Sequence, residues 1–180
     1  KIIIKNTFLL YIRQFLTLGL SLYTSRLTLN VLGVTDFGIY AAVGGVTALL
    51  SILTSTMSTS TQRFMTFELG TQNNEKLNRV YITSVQIHLL LSLILLIFGE
   101  TIGIWFLNNK LSIPPERLDI AFYVFQLSLL DCILSLLNVP NQAAIIAHED
   151  MGTFAIFSIL DAILKLLAVV VLFWISWDRL

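Results

Sequence analysis

This chain is poor in the residues from which soluble active sites are built. It has one cysteine, Cys132. An internal disulfide and a multi-cysteine metal site are therefore both excluded. Charged residues make up only 12% of the chain, about half of the roughly 25% common in soluble domains. The formal net charge is +0, which removes the electrostatic case for nucleic acid as a partner. The sequence carries no nucleophile motif, no carboxylate pair with hydrolase logic, no phosphate loop and no metal-ligand spacing. An enzyme is not expected, and no cofactor is called for. A secretory leader is not expected either. The first apolar run is long, and no small-residue cleavage site followed by a polar domain comes after it.

What the chain has instead is apolar length. Hydrophobic residues fill 56% of its 180 positions, and the mean hydropathy is +0.84. A helix that crosses a bilayer needs about 20 mostly apolar residues. Five stretches qualify: 7–32, 37–67, 80–107, 118–147 and 153–177. The expected fold class is all-α, a polytopic membrane helix bundle. Gly33 suits the end of the first helix, because it has no Cβ to strain a left-handed cap, and Asp36 suits the N-cap of the second. "GTQNNEKLN" (Gly70 to Asn78) reads as a polar loop, and "HED" (His148 to Asp150) as a tight turn. "NNKLSIPPER" (Asn108 to Arg117) is a loop whose Pro115 suits the first turn of the fourth helix. Trp105, Trp174 and Trp177 fall near span ends, where amphipathic rings favour the interface.

Five spans alternate sides. With the N-terminus in the cytoplasm, Lys1, Lys5, Lys76 and Arg79 lie inside, Arg63 lies near that boundary, and Lys110, Arg117 and Arg179 lie outside. The excess favours this orientation slightly. The chain opens on Lys1 and stops at "SWDRL" just after the fifth span. It is expected to be an incomplete N-terminal bundle, the front part of something longer.

The apolar runs are not uniformly apolar. The stretch "TALLSILTSTMSTSTQ" (Thr47 to Gln62) is crowded with hydroxyls. Spacings of three and four keep side chains on one helical face. Gly44, Thr47, Ser51, Thr54, Ser58 and Thr61 follow that rule and make one stripe. The fourth span repeats it with Ser128, Asp131, Ser135, Asn138 and Gln142. The third carries Tyr81, Ser84, His88 and Ser92, the fifth Ser158, Asp161 and Lys165, and the first Gly19, Tyr23, Arg26 and Asn30. Two readings compete. Small and hydroxyl residues let membrane helices approach and bond across a seam. Alternatively, the stripes line a water-filled cavity. Asp131, Asn138, Gln142, His88 and Arg26 are not small, and polar or ionised groups inside a membrane normally face protein or water and mark a transport path. Five helices with one polar line each favour a shared aqueous cavity.

Single residues sharpen that picture. Arg26 would either snorkel to head groups or supply a fixed charge to an anionic substrate, since its rigid fork of donors suits phosphate. Arg13 lies about 140° away on the helical wheel and reads as snorkelling. Arg63 would pair with Glu68 or hold a phosphate. Asp161 and Lys165, at i and i+4, read first as a mutual ion pair, with coupling-ion binding as the other possibility for Asp161. Asp131 has no such partner in sequence and is the better candidate for a protonation or cation site; otherwise it is a structural carboxyl. His88 reads as a hydrogen-bonded structural histidine rather than a proton relay. Pro140 is expected to kink the fourth helix.

Three stretches also carry a resemblance. "NTFLLYIRQFLTLGLSLYTSRLTLNVLGVTDFGIY" (Asn6 to Tyr40), "STQRFMTFELG" (Ser60 to Gly70) and "NVPNQAAIIAHED" (Asn138 to Asp150) resemble bacterial polysaccharide-biosynthesis flippases. These are the Wzx-type members of the multidrug/oligosaccharidyl-lipid/polysaccharide exporter superfamily. The resemblance implies the N-terminal half of a MATE-like transporter fold, in which two six-helix bundles surround a central cavity. It implies transfer of an undecaprenyl-pyrophosphate-linked oligosaccharide from the cytoplasmic to the periplasmic leaflet of the bacterial inner membrane, for surface polysaccharide such as O-antigen. Alternating access would be coupled to a proton or sodium ion. Membrane lipids and the polysaccharide polymerase machinery would be further partners. By the same resemblance, Arg26 in "TSR" and Arg63 in "TQRF" would hold the pyrophosphate, with Asn30 beside Arg26. A cation-coupled multidrug antiporter of the same fold is the first alternative, although arginines and a lysine balance its intramembrane carboxylates. A non-transporting membrane component of glycan synthesis is the second.

Overall fold

The computed structural model describes the backbone of residues 2–111 and 113–174, and their side chains except at 2–3, 46–53 and 172. Every regular element among the described residues is helical. Helix α1 (Ile2–Gly70) is interrupted at Gly33, whose φ of 77° and ψ of 173° are not helical. Helix α2 (Asn74–Phe98) continues through a π-helical turn (Gly99–Gly103) into α3 (Ile104–Asn109). A 3-10 turn (Pro115–Arg117) leads into α4 (Leu118–Ala147), and α5 (Met151–Trp174) follows. Four stretches among the described residues are long and apolar enough to cross a membrane: Ile4–Gly45, Asn74–Asn109, Pro115–Ala147 and Met151–Val171. The chain is an all-α, multi-pass membrane helix protein.

The stretch Ile4–Gly45 is 42 residues long, about twice what one crossing needs. The break at Gly33 divides it. Glycine reaches φ > 0 without the Cβ clash that other residues suffer. The second arm of α1 restarts at once, so Asp36 falls inside its first turn rather than at an N-cap. The stretch 37–67 is helical throughout, but the side chains of Thr47 and Ser51 lie outside the described residues, as do residues 175–177 of the fifth expected span.

Helix α2 begins at Asn74, six residues before the expected Val80. The polar run "NEKLN" is its first turns, not loop. Asn73 caps it, its side-chain oxygen accepting from the Lys76 N–H at 3.0 Å. Only Thr71–Asn73 remain as turn, closed by Gln72 at φ 56°. Pro140 sits inside α4 without ending it; in a membrane helix, neighbouring groups can satisfy the carbonyl that proline frees.

Two compact units are present. One comprises Lys1–Gly38 with Glu149–Leu180, the other Ile39–His148. The second has two apolar clusters. At one end Ile39, Val43, Leu107, Ala121, Phe125 and Leu129 pack together. At the other, Met65, Ala143 and Ala147 do. Between them α2 lies along α4, and the glycines of the π-helical turn bring the two helices close. A Cβ built on Gly99 would stand 2.6 Å from Leu129 Cδ1, and one on Gly103 would collide with the Phe125 ring.

Candidate functional site

Within the second unit, the polar lines meet different fates. Thr61, at the end of the hydroxyl stripe, is buried against α2, where its Oγ1 lies 3.3 Å from Ser84 Oγ. Ser84 Oγ is also 3.3 Å from His88 Nδ1. The Ser84 carbonyl can only accept, so the 2.7 Å contact to His88 Nδ1 assigns a proton to that nitrogen. His88 is 2% exposed, and its Nε2 has no hydrogen-bond partner among the described residues. Here the stripe is a packing seam, as small polar residues between membrane helices often are. Further up, Ser58 accepts from Gln62 Nε2 at 3.0 Å, and both Thr54 and Ser58 are half-buried.

The line on α4 behaves differently. Its apolar face, from Ala121 through Phe125 and Leu129 to Ala143 and Ala147, is the buried one. Asp131, Ser135, Asn138 and Gln142 are exposed, and Ser128 is half-buried. Two of them stand near a polar link to α2. The Tyr81 hydroxyl donates to Asn141 Oδ1 at 2.7 Å, and Asn141 Nδ2 donates to Asn138 Oδ1 at 3.3 Å. Asp131, midway along the span, has no hydrogen bond or ion pair among the described residues. At the far end of α2, Glu100 Oε2 accepts from Gln126 Nε2 at 3.2 Å.

The first unit pairs the N-terminal arm of α1 with α5. Arg13 packs across this pairing. Its guanidinium carbon lies 4.6 Å from the centre of the Phe154 ring, and Nη1 is 3.5 Å from Ser158 Oγ. Sequence spacing alone hid this role, because Phe154 and Ser158 are more than a hundred positions away. Asn6 Nδ2 donates to the Glu149 carbonyl at 3.3 Å on the same seam. Asp161 is spent on Lys165, at 3.0 Å, in accordance with the i, i+4 reading. Arg26 and Asn30, one turn apart on α1, are both exposed. Arg63, in the other unit, is exposed as well. Neither arginine has an ion-pair partner among the described residues; Glu68 instead accepts from the Thr71 hydroxyl at 3.3 Å.

A pocket of about 310 Å³ opens where the end of α1, the start of α2 and the end of α4 converge. The sequence offered no signal for it, since Asn74 and Asn78 read there as loop. Among the described residues no group of three or more His, Cys, Asp and Glu could hold a metal ion.

The chain matches no protein-family profile, no curated protein and no solved structure.

Proposed function

We propose that this chain is part of a membrane transporter that moves an undecaprenyl-pyrophosphate-linked oligosaccharide between leaflets of the bacterial cytoplasmic membrane. The observation that carries the reading is the exposed polar ridge of α4, with Asp131 at mid-span. A carboxylate turned to lipid there costs at least about 2.5 kcal/mol. A ridge of four exposed polar side chains is therefore stable only against water or other polar groups. A hydrated path through the bilayer provides the first.

The charge inventory supports an anionic cargo. The Asp161 carboxylate is neutralised by Lys165, and Glu75 lies 3.9 Å from Arg79. Arg26 and Arg63 keep their charge unspent. A guanidinium offers paired donors to phosphate oxygens, so these two are the residues assigned to the pyrophosphate, with Asn30 adding an amide donor beside Arg26. Asp131 is assigned the coupling proton or sodium ion. The half-buried and exposed polar side chains of α4, with Thr54 and Ser58, would hydrogen-bond sugars or the water around them.

The test is genetic and chemical. In a host whose own copy is deleted, Arg26→Ala should insert normally, abolish surface glycan and leave lipid-linked intermediate on the cytoplasmic leaflet. Normal surface glycan in that variant would remove Arg26 from the mechanism. The antiporter alternative predicts instead that deletion sensitises the host to cationic drugs and leaves its glycan intact.

A further inference from the structure

One phenol and two amides form a directed chain of hydrogen bonds from α2 to the ridge of α4. The Tyr81 hydroxyl has a single proton, and it goes to Asn141 Oδ1 at 2.7 Å. That bond fixes which way the Asn141 amide points. Its carbonyl is turned to α2, so its Nδ2 is left for the neighbouring side chain. Asn141 Nδ2 donates to Asn138 Oδ1 at 3.3 Å. The Asn138 carbonyl is thereby engaged, and its Nδ2 makes no hydrogen bond among the described residues. Asn138 is exposed on α4, on the same polar line as Asp131.

An asparagine amide has two unlike edges. One accepts and the other donates, and its terminal torsion is broad and roughly two-fold. Left alone on an exposed helix, Asn138 would present either edge. Here its direction is inherited from Tyr81 through Asn141. The ridge is therefore polarised along its length. At the level of Asp131 an ionised carboxylate only accepts, which suits a cation. At the level of Asn138 the amide offers two N–H donors. These suit an oxygen acceptor: a carbonyl, a carboxylate or a phosphate oxygen. An ammonium, which only donates, meets the wrong edge there.

We infer that Tyr81 and Asn141 are positioning residues, which turn Asn138 so that its N–H donors face the path along α4 and admit an oxygen acceptor of the cargo at that level. Neither is assigned a contact with the cargo. The inference rests on the reading of the ridge as a hydrated path and adds what the ridge selects. It also separates Asn138 from Gln142, one turn on. The Gln142 amide makes no hydrogen bond among the described residues and is free to offer either edge.

The test uses the full chain in phosphatidylcholine nanodiscs, isotope-labelled at asparagine nitrogen. NMR reads the hydrogen exchange of the side-chain amides. One Asn141 Nδ2 proton should exchange slowly with water, and both Asn138 Nδ2 protons should exchange freely. Tyr81→Phe should speed the Asn141 exchange about fivefold, the weight of one net hydrogen bond. It should also lower surface glycan in the deletion host about twofold, because a released amide spends about half its time reversed. Asn141→Asp is the sharper variant. Its new carboxylate still accepts from Tyr81 but cannot donate, so Asn138 must turn and donate to it. The Asn138 protons should then become protected, and surface glycan should fall at least about tenfold while the protein stays folded. A merely structural tie between α2 and α4 is kept in that variant, so normal glycan with protected Asn138 protons would overturn the inference. Protected Asn138 protons in the wild type would overturn it too, because the amides would run the opposite way. So would Asn141 exchange that ignores Tyr81→Phe. The exchange measurements need no transport. If Arg26→Ala keeps normal glycan, the pyrophosphate assignment fails while the direction of the amides stands, and the converse result is equally distinct.

Discussion

Gly103 has room for a hydrogen and nothing larger. The Phe125 ring occupies the space a Cβ would take, and Gly99 is similarly confined by Leu129. The pair forms a G-x-x-x-G step, the spacing that lets membrane helices approach closely. Gly103→Ala should therefore destabilise the chain by about 1–3 kcal/mol, the usual cost of overpacking. Phe125→Leu in the same background should recover part of it, and unfolding in mixed micelles measures both. Full stability of the single variant would show that the ring moves freely aside. Arg13 shows what a helical wheel leaves out. A helical wheel gives the direction of a side chain but not what stands in that direction, and Phe154 stands there. Arg26, Asn30 and Asp131, by contrast, lie exposed on their helices.

Helix ends carry the second set of consequences. Helix α5 starts at Met151, just after Asp150, whose Oδ1 accepts from the Thr153 N–H at 3.1 Å and whose Oδ2 accepts from the Thr153 hydroxyl at 2.6 Å. This is the N-cap arrangement that satisfies a helix's first orphan donors. The bonds favour the carboxylate and hold the Asp150 carboxyl below its ordinary value, the Thr153 hydroxyl contributing most. A depressed carboxyl contributes stability that is complete above the unfolded value, near about pH 4, and is lost as pH falls through the lower folded value. The protection factor of the Thr153 amide should thus decline below about pH 4, and Asp150→Asn should flatten that decline. A wild-type protection factor independent of pH would show that the cap has no role. At the other helix starts, capping and polarity compete as signals. The run after Asn73 looks like loop by composition, yet the Asn73 side chain caps it and the helix begins there.

For the whole molecule, the decisive question is what the α4 ridge faces. In a Cys132→Ser background, single cysteines at Ser135, Asn138 and Gln142 should react with a membrane-impermeant maleimide. A cysteine at Leu130, exposed about 100° around the helix from Asp131, should not react, because lipid covers it. Equal labelling of both faces, or none on the ridge, would remove the hydrated path and with it the main support for transport. The fold class was legible from the sequence, because length and hydropathy alone mark helices able to cross a bilayer. Helix α4 runs from Leu118 to Ala147, the bounds its pattern suggested. The stripes were legible as stripes, but spacing could not separate seam from surface. Thr61 and Ser84 prove to be seam, whereas Asn138 and Gln142 prove to be surface.

The sequence by itself determined the helices, the break at Gly33, the polar faces and the Asp161–Lys165 pair. All of these depend on neighbours within a few positions, where helical geometry already dictates contact. Only the tertiary structure decided which polar face is covered, where Arg13 docks, how Gly99 and Gly103 admit α4, and that Asn74, Asn78 and His148 rim one pocket. Those outcomes join residues tens of positions apart. The register at which one helix meets another depends on the shapes of both surfaces, and no single stretch of sequence contains it.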